Sequence, residues 1–467
     1  MGPLQQPMKH AVIIDNRGTA GRLARTCAAA LLYLTLMASC SPRVPLSRQV
    51  VASEMARSPE ASYLDGQQGK LKWNYTTGLE LKAFLDVYER YADNTCVGQN
   101  VDSQRVVESA STGFGGRQVA QSVETEGDIP HSEKEQTAAA VRDGVSVRQI
   151  FDYVDNWYDS IIDSAGAILK YKLSNYSTDH ICPGRTLFSL YDLTGRQKYR
   201  LAMDTLYSQL QSQPRTPQGG FWHKKVYPDQ MWLDGLYMAQ PFYAEYTGRY
   251  VSDAALRQAN YEDIARQFLI VAHHTFDAAT GLYRHAWDAS RQMFWCDPVT
   301  GQSDHAWGRA LGWYMMALVD VLPLLPEQTA GREEMLTILR HITGELPRYA
   351  DPETGMWYQV LDRPGAAGNY VEATASAMFT YAMLKGCRLG YLDCRPYAED
   401  CYKKLLKTFV SREGKLVSLE RCCEVAGLGG KQMRRGDYDY YINEKVRSND
   451  PKGIGPLIWA ALEYEMK

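Results

Sequence analysis

Carboxylates, imidazoles and aromatic rings gather in short strings along this 467-residue chain, and the string Met231 to Met238 (MWLDGLYM) sets Asp234 at the start of an otherwise apolar helical stretch. An Asp there can cap free backbone N–H groups and meet the positive end of the helix dipole. It also has a second reading, as a carboxyl whose pKa is raised by burial among Trp and Tyr so that it stays protonated as a general acid. Asp179 holds the corresponding place one hairpin earlier, ahead of Pro183 and Gly184, with a cap again as the plain alternative. Two such carboxyls facing one cavity make an acid/base pair. Arg309 lies between Trp307 and Trp313, and its planar fork suits either a substrate carboxylate or an interhelical salt bridge. His223 and His285 read as donors to hydroxyl or carboxylate groups, or as hydrogen-bonded structural histidines. Such side chains suit polar, ring-shaped ligands, a bias matched by 31 Tyr and 10 Trp in the whole chain.

Other chemistries find no support. The scattered His residues have no tight His-x-x-x-His or Glu partner, and Cys387, Cys394, Cys401 and the adjacent Cys422 and Cys423 offer no Cys-x-x-Cys pairs, so no metal site is expected. Buried thiols or an occasional disulfide are the expectation for these cysteines. The absence of a P-loop, a dinucleotide fingerprint and a Gly-x-Ser-x-Gly elbow removes nucleotide, nicotinamide and serine-hydrolase readings, and no cofactor is implied. With 51 Lys+Arg against 54 Asp+Glu and no long basic run, nucleic acid is not an expected partner.

The elements that must position these residues follow from an internal repeat. The segment Asp277 to Asp288 aligns without gaps to Asp351 to Asp362, and Gly219 to Trp222 is a degenerate earlier copy. Each copy lies between an amphipathic helical stretch and a second, more uniformly apolar one. Extended outward, the unit predicts six helix pairs: 46–57 with 73–91, 147–166 with 179–192, 196–212 with 232–247, 253–275 with 305–323, 330–347 with 370–386, and 395–411 with 450–466. The expected fold is all-α, an (α/α)6 toroid of six helical hairpins with amphipathic helices outside and apolar helices inside. No second, β domain is expected. Loops leading into the inner helices open on one face, where polar residues converge on a central funnel. Besides the residues above, that collection holds Asn74, Lys224, Trp232, Glu372, Asp437 to Tyr441, Asn449 and Asp450.

Two segments stand apart from the ring. Arg22 and Arg25 precede the apolar run Thr26 to Met37, which is too short to span a bilayer and has the pattern of a signal peptide. The run leads into Ala38, Ser39 and Cys40, similar to a bacterial lipobox. The expectation is therefore an exported protein, with residues 1–40 as its signal and a lipid on Cys40 as its only membrane attachment; soluble secretion after cleavage near Ala38 is the alternative. Residues 97–144 are polar and nearly free of aromatics, and they read as a poorly ordered surface insertion in a single domain spanning 41–467.

Seven strings in order sharpen the functional reading: Trp73 to Gly78 (WNYTTG), Asp179 to Gly184 (DHICPG), Gly220 to Lys224 (GFWHK), Gln230 to Met238, His285 to Asp288 (HAWD), Trp307 to Arg309 with Gly312 and Trp313, and Asn449 to Gly453 (NDPKG). Together they resemble glycoside hydrolase family 105, the unsaturated rhamnogalacturonyl hydrolases, from about Trp73 to the C-terminus outside 97–144. The related family 88 unsaturated glucuronyl hydrolases fit these strings less well. The resemblance implies an enzyme without metal or nucleotide that removes a 4,5-unsaturated uronic acid from the non-reducing end of oligosaccharides left by polysaccharide lyases. It implies that Asp234 protonates C4 of the enol ether and assists water addition at C5, with Asp179 as the supporting carboxylate. It also implies that Tyr75, His223, His285, Trp307, Arg309 and Trp313 line the subsite for the unsaturated ring. An inverting glycosidase acting on saturated sugars and a non-catalytic glycan-binding lipoprotein are the rival readings.

Overall fold

In the computed structural model, the described residues are Gly2, 44–92 and 145–466. The signal, lipobox and insertion expectations therefore lie outside the described residues. One compact unit runs from Pro45 to Lys467.

Among the described residues, twelve longer helices form six pairs: α1 (Leu46–Arg57) with α2 (Tyr75–Ala92), α3 (Val147–Ile161) with α4 (Arg185–Thr194), α5 (Gln197–Gln211) with α6 (Leu233–Tyr250), α7 (Ala254–Thr275) with α8 (Gly308–Val321), α9 (Arg332–Glu345) with α10 (Ala373–Arg388), and α11 (Arg395–Phe409) with α12 (Pro451–Glu465). The even-numbered helices form the inner ring. Neighbours α6, α8, α10, α12 and α2 pack in succession, and α4 with the turns before it closes the circle between α2 and α6. The fold is thus the (α/α)6 toroid. Composition explains the layering: every residue of α8 is buried, whereas α11 buries one stripe, including Ala398, Cys401, Leu405 and Phe409, and leaves its charged face to solvent. α1 packs mainly on α12, so the first outer helix seals the seam where the ring closes.

Local signals set the helix ends. Ser146 and Gln149 form a reciprocal capping box at α3, and Asp253 and Asp450 cap α7 and α12. The inner helix expected from position 179 begins only at Arg185, because 178–184 forms two 3-10 turns. Pro183 accounts for the delay, since it has no N–H to bond the Asp179 carbonyl in a helix begun at position 179. Its position is also fixed from outside: a Cβ on Gly78 of α2 would lie 2.5 Å from Cβ of Pro183. Among the described residues, four two-stranded antiparallel ribbons, too short to be read as alternating strands, occupy the connecting loops.

The interior also holds one buried ionic knot. Asp320 of α8 accepts from Arg185 of α4 at 2.8 Å, and from Lys385 and Tyr381 of α10 at 2.7 Å each. Burial pushes the Asp320 carboxyl up, but Lys385 and Arg185 outweigh it and bring it down to about 2. Removing the buried carboxylate leaves two half-buried cations facing each other, so Asp320→Asn is expected to cost about 3 kcal/mol in denaturant unfolding at neutral pH. Because the folded pKa lies below the usual 3.8 of an Asp, the stabilisation is present above that pH and is lost as pH falls from about 3.8 toward about 2. An Asp320→Asn protein that retained full stability at neutral pH would contradict this assignment.

Candidate active site

Three loops place the polar side chains by one shared device. In each, a glycine at positive φ turns the chain: Gly219 at +94°, Gly281 at +72° and Gly355 at +70°. Four positions on come His223, His285 and Gln359. Each of these residues bridges the entries to two successive inner helices through its own backbone. The carbonyl accepts from the segment entering the preceding helix: His223 O from Thr178 N at 3.1 Å, His285 O from Leu233 N at 3.1 Å, and Gln359 O from Gly308 N at 2.9 Å. The N–H donates to the segment entering the next: His223 N to Gln230 O at 2.8 Å, His285 N to His305 O at 3.1 Å, and Gln359 N to Tyr370 O at 2.8 Å. The ribbon pairing Gln230–Trp232 with Ala286–Asp288 adds to the second bridge.

That second bridge brings Asp234 and His285 together. Asp234 lies in the first turn of α6, but it is not the cap, a place taken by Trp232 without any side-chain hydrogen bond. Its Oδ2 lies 3.4 Å from Nε2 of His285, close enough for charge and dipole to act but without the alignment of a hydrogen bond. Among the described residues neither atom has another hydrogen-bond partner. On its far side, His285 Nδ1 meets the Tyr441 hydroxyl at 2.7 Å. Burial raises the Tyr441 phenol well above its usual pKa and keeps it neutral. A phenol donating to Nδ1 fixes the imidazole tautomer with its proton on Nε2, the atom facing Asp234.

The charge state of Asp234 differs from the expectation. Burial does push its carboxyl up, but His285, His223, Arg309 and their fields together outweigh burial and hold it below the ordinary carboxylate range. Asp234 is therefore a carboxylate, because His285 and Arg309 reach it from the next hairpin and His223 from the loop of its own.

Asp179 sits opposite in a 3-10 turn, with Lys224 Nζ at 2.5 Å and His223 Nε2 at 3.5 Å. Burial raises its carboxyl, and the two neighbours, Lys224 first, more than reverse the effect. His223 is stacked on Trp232 at 4.5 Å and meets Thr178 Oγ1 through Nδ1 at 3.2 Å, and burial pulls its pKa down to about 4. It is a neutral imidazole at physiological pH. Tyr227 is stacked on the same cluster, 4.9 Å from the Trp232 ring and 6.4 Å from His223.

Arg309 is buried, lies 4.6 Å over the Trp307 ring and donates from Nη1 to Cys423 O at 2.5 Å. Among the described residues it makes no ion pair with a carboxylate, so the interhelical salt bridge does not form. Trp307 caps α8, and its indole N–H donates to Gln359 Oε1 at 3.1 Å. Gln359 in turn donates to Tyr441 O at 3.2 Å and meets Cys423 Sγ at 3.1 Å. Tyr75 opens α2, and its hydroxyl lies in the fields of Asp179, Arg309 and Asp234. Trp313 is buried behind it, edge-on to Tyr75 at 6.4 Å and 4.7 Å from Tyr237, so it supports the wall rather than forming its face.

The structure thus brings all eight sequence-derived residues to one end of the ring. It adds Lys224, Trp232 and Tyr441, which were in the funnel collection without a role, and Gln359 and Cys423, which were not singled out. Gln359 had a signal in the sequence: it occupies the place of His285 in the aligned repeat. Glu372 and Asp450, by contrast, are spent on structure, as caps of α10 and α12. Replacing Lys224 by Met removes the strongest influence lowering the Asp179 carboxyl. A carbon NMR titration is expected to show the Asp179 pKa moved upward in Lys224→Met, and an unchanged titration would contradict the pairing.

Comparison with known proteins fits this geometry. The family model described as Glycosyl Hydrolase Family 88 matches residues 141–467. A solved glycoside hydrolase of family 105 from C. acetobutylicum is 34% identical, covering 90% of this chain and 99% of that one with a TM-score of 0.74. A structure from Salmonella enterica, described as a possible member of family 105, is 22% identical with a TM-score of 0.61 over 90% of this chain and 92% of its own, which shows the shared fold. The unsaturated rhamnogalacturonyl hydrolase YesR of Bacillus subtilis is 31% identical over 219 residues, 46% of this chain and 59% of that protein. With a family match across most of its length and a family 105 relative aligned over nearly all of both chains, the protein belongs to the glycoside hydrolases of the family 88 and 105 group.

Proposed function

We propose that the protein removes a 4,5-unsaturated galacturonyl unit from the non-reducing end of rhamnogalacturonan-derived oligosaccharides by hydrating its C4=C5 double bond. The observation that carries this reading is the pair of facing, unpartnered atoms Asp234 Oδ2 and His285 Nε2, set 3.4 Å apart beside a buried arginine. A proton donor to carbon must reach its target directly, and an oxygen without a committed partner is available for that. The substrate carboxylate is assigned to Arg309, the buried cation with no carboxylate partner of its own among the described residues. A substrate carboxylate on Arg309 offsets one of the positive charges holding Asp234 ionised, which raises the Asp234 pKa toward the protonated state that the proton transfer needs.

The reaction then balances in three steps. Asp234 gives its proton to C4, and the positive charge that develops at C5 is shared with the ring oxygen. Water adds at C5 and returns a proton to Asp234, leaving a hemiketal. The hemiketal opens by breaking the bond between C5 and the ring oxygen, and the hemiacetal left at C1 expels the next sugar with its glycosidic oxygen. Asp179, held ionised by Lys224, keeps the field around His223 and Asp234 fixed or binds substrate hydroxyls. Tyr75 and Trp307 form walls against the ring, with Trp313 behind Tyr75. The leader pattern ending at Cys40 supports action outside the cytoplasm, with the lipid as anchor.

The test follows the ultraviolet absorbance of the enol ether with an unsaturated rhamnogalacturonan disaccharide and, separately, an unsaturated glucuronyl disaccharide. Faster loss of the band is expected with the first. A preference for the second would reassign the substrate to the glucuronyl class, and a flat trace with both from folded protein would overturn hydration in favour of the saturated-glycosidase or binding readings. Asp234→Asn is expected to slow turnover by about a thousandfold while leaving the fold intact, and full activity in that variant would remove Asp234 from the chemistry.

A further inference from the structure

At the far end of α10 from the active site, two thiols face each other across a tight turn. Cys387 lies in the last turn of α10, and Cys394 is the N-terminal cap residue of α11, where it makes no side-chain cap bond. Their Sγ atoms are 3.4 Å apart, both as free thiols. The turn between them is held by Tyr391 N and Leu392 N, which donate to Gly386 O at 2.9 and 3.2 Å, and by Gly390 N, which donates to Cys387 O at 3.2 Å. The two sulfurs are therefore presented by fixed backbone. Neither is sealed away: both are partly exposed, and Cys394 lines a surface groove of about 600 Å³ together with Arg340, Tyr391 and Tyr397.

We propose that Cys387 and Cys394 are a modification site, a dithiol that closes to an intramolecular disulfide by exchange with a small-molecule disulfide of the glutathione class. Closure needs the sulfurs to approach by a little over an ångström to reach a bond of about 2.0 Å. In the first step the Cys387 thiolate attacks the incoming disulfide and releases one thiol, giving a mixed disulfide. In the second the Cys394 thiolate displaces the remaining thiol and forms the Cys387–Cys394 bond. Two protein thiols are oxidised by two electrons, the incoming disulfide is reduced to two thiols, and these carry off both protons.

The direction of attack has a physical cause. Once Cys387 is ionised only Cys394 can donate across this contact, and that S–H stabilises the Cys387 thiolate and holds the thiol below its usual pKa. Cys401, seven residues beyond Cys394, serves as an internal contrast. It is buried, and burial pushes its thiol up to about 11. The disulfide would tie the C-terminus of an inner helix to the start of the next outer one. α10 has 16 residues, so the pair sits about 24 Å along its axis from the end that carries Glu372. Oxidation should stiffen this hairpin without touching the active site, and the inference is independent of the substrate assigned above.

The test incubates the purified full chain with oxidised glutathione, blocks remaining thiols under denaturing conditions and maps them by mass spectrometry after trypsin. Trypsin cuts after Arg388, so the disulfide would join two separate peptides. The expected result is that joined pair, the loss of two alkylatable thiols, and a rise in thermal midpoint that dithiothreitol reverses. In Cys394→Ser, whose hydroxyl keeps a donor facing Cys387 but cannot form the bond, the glutathione is expected to remain on Cys387. Full alkylation of both residues under conditions that oxidise a control dithiol would overturn the proposal, as would fragment ions placing the bond on Cys401, which shares the tryptic peptide of Cys394 because trypsin does not cut between Arg395 and Pro396. Absence of glutathione from Cys387 in Cys394→Ser would overturn its role as the attacking thiol.

Discussion

Backbone hydrogen bonds at the mouth of the ring are what the rest of the site depends on. Helix packing alone fixes the inner helices side by side, but it leaves their entry loops free to choose a conformation. The bridges made by His223, His285 and Gln359 remove that freedom, because each residue binds the entry before it and the entry after it. The side chains of those same residues are then aimed inward by the backbone that joins the hairpins. A glycine four positions earlier is the local requirement, since the turn needs positive φ that a side chain would resist. The fold and the chemistry are thus coupled through one repeated turn.

Electrostatics follows from that placement. Asp234 and Asp179 are carboxylates drawn into a partly dry space, and burial alone would neutralise both. Basic groups gathered by the entry loops reverse the balance: His285, His223 and Arg309 at one carboxylate, Lys224 and His223 at the other. His223 lies between them as a neutral imidazole, kept so by its own burial against Trp232. Under the proposed function, an anionic substrate held by Arg309 would shift the proton affinity of Asp234 at the moment it binds. That coupling would give the buried arginine a role beside the proposed acid.

Much of this was legible in the residues. The six helix pairs emerged within a few positions because apolar spacing and the gapless repeat marked both members of each hairpin, and only Pro183 displaced an inner helix start appreciably. Asp234 was visible because a carboxylate opening an apolar helix is costly without a purpose. The sign of its pKa shift was not legible, since its aromatic neighbours are adjacent in sequence while His285 and Arg309 reach it from the next hairpin and His223 from the far side of its own loop. Gln359 was readable through the repeat, as the counterpart of His285, although its chemistry as a tie among Trp307, Tyr441 and Cys423 was not. Tyr441 and Cys423 come from the long connection before α12, which carries no copy of the repeat, and their contacts depend on how that loop folds back.

The central claim is that the double bond is hydrated and the glycosidic bond breaks as a consequence. The most direct measurement is proton NMR of the reaction in deuterium oxide, following an unsaturated rhamnogalacturonan disaccharide with the wild-type protein. The account requires one deuterium to appear at C4 as the vinyl proton signal disappears, with release of the next sugar following. Release of the next sugar while the uronic acid keeps its double bond and carries no deuterium at C4 would contradict it.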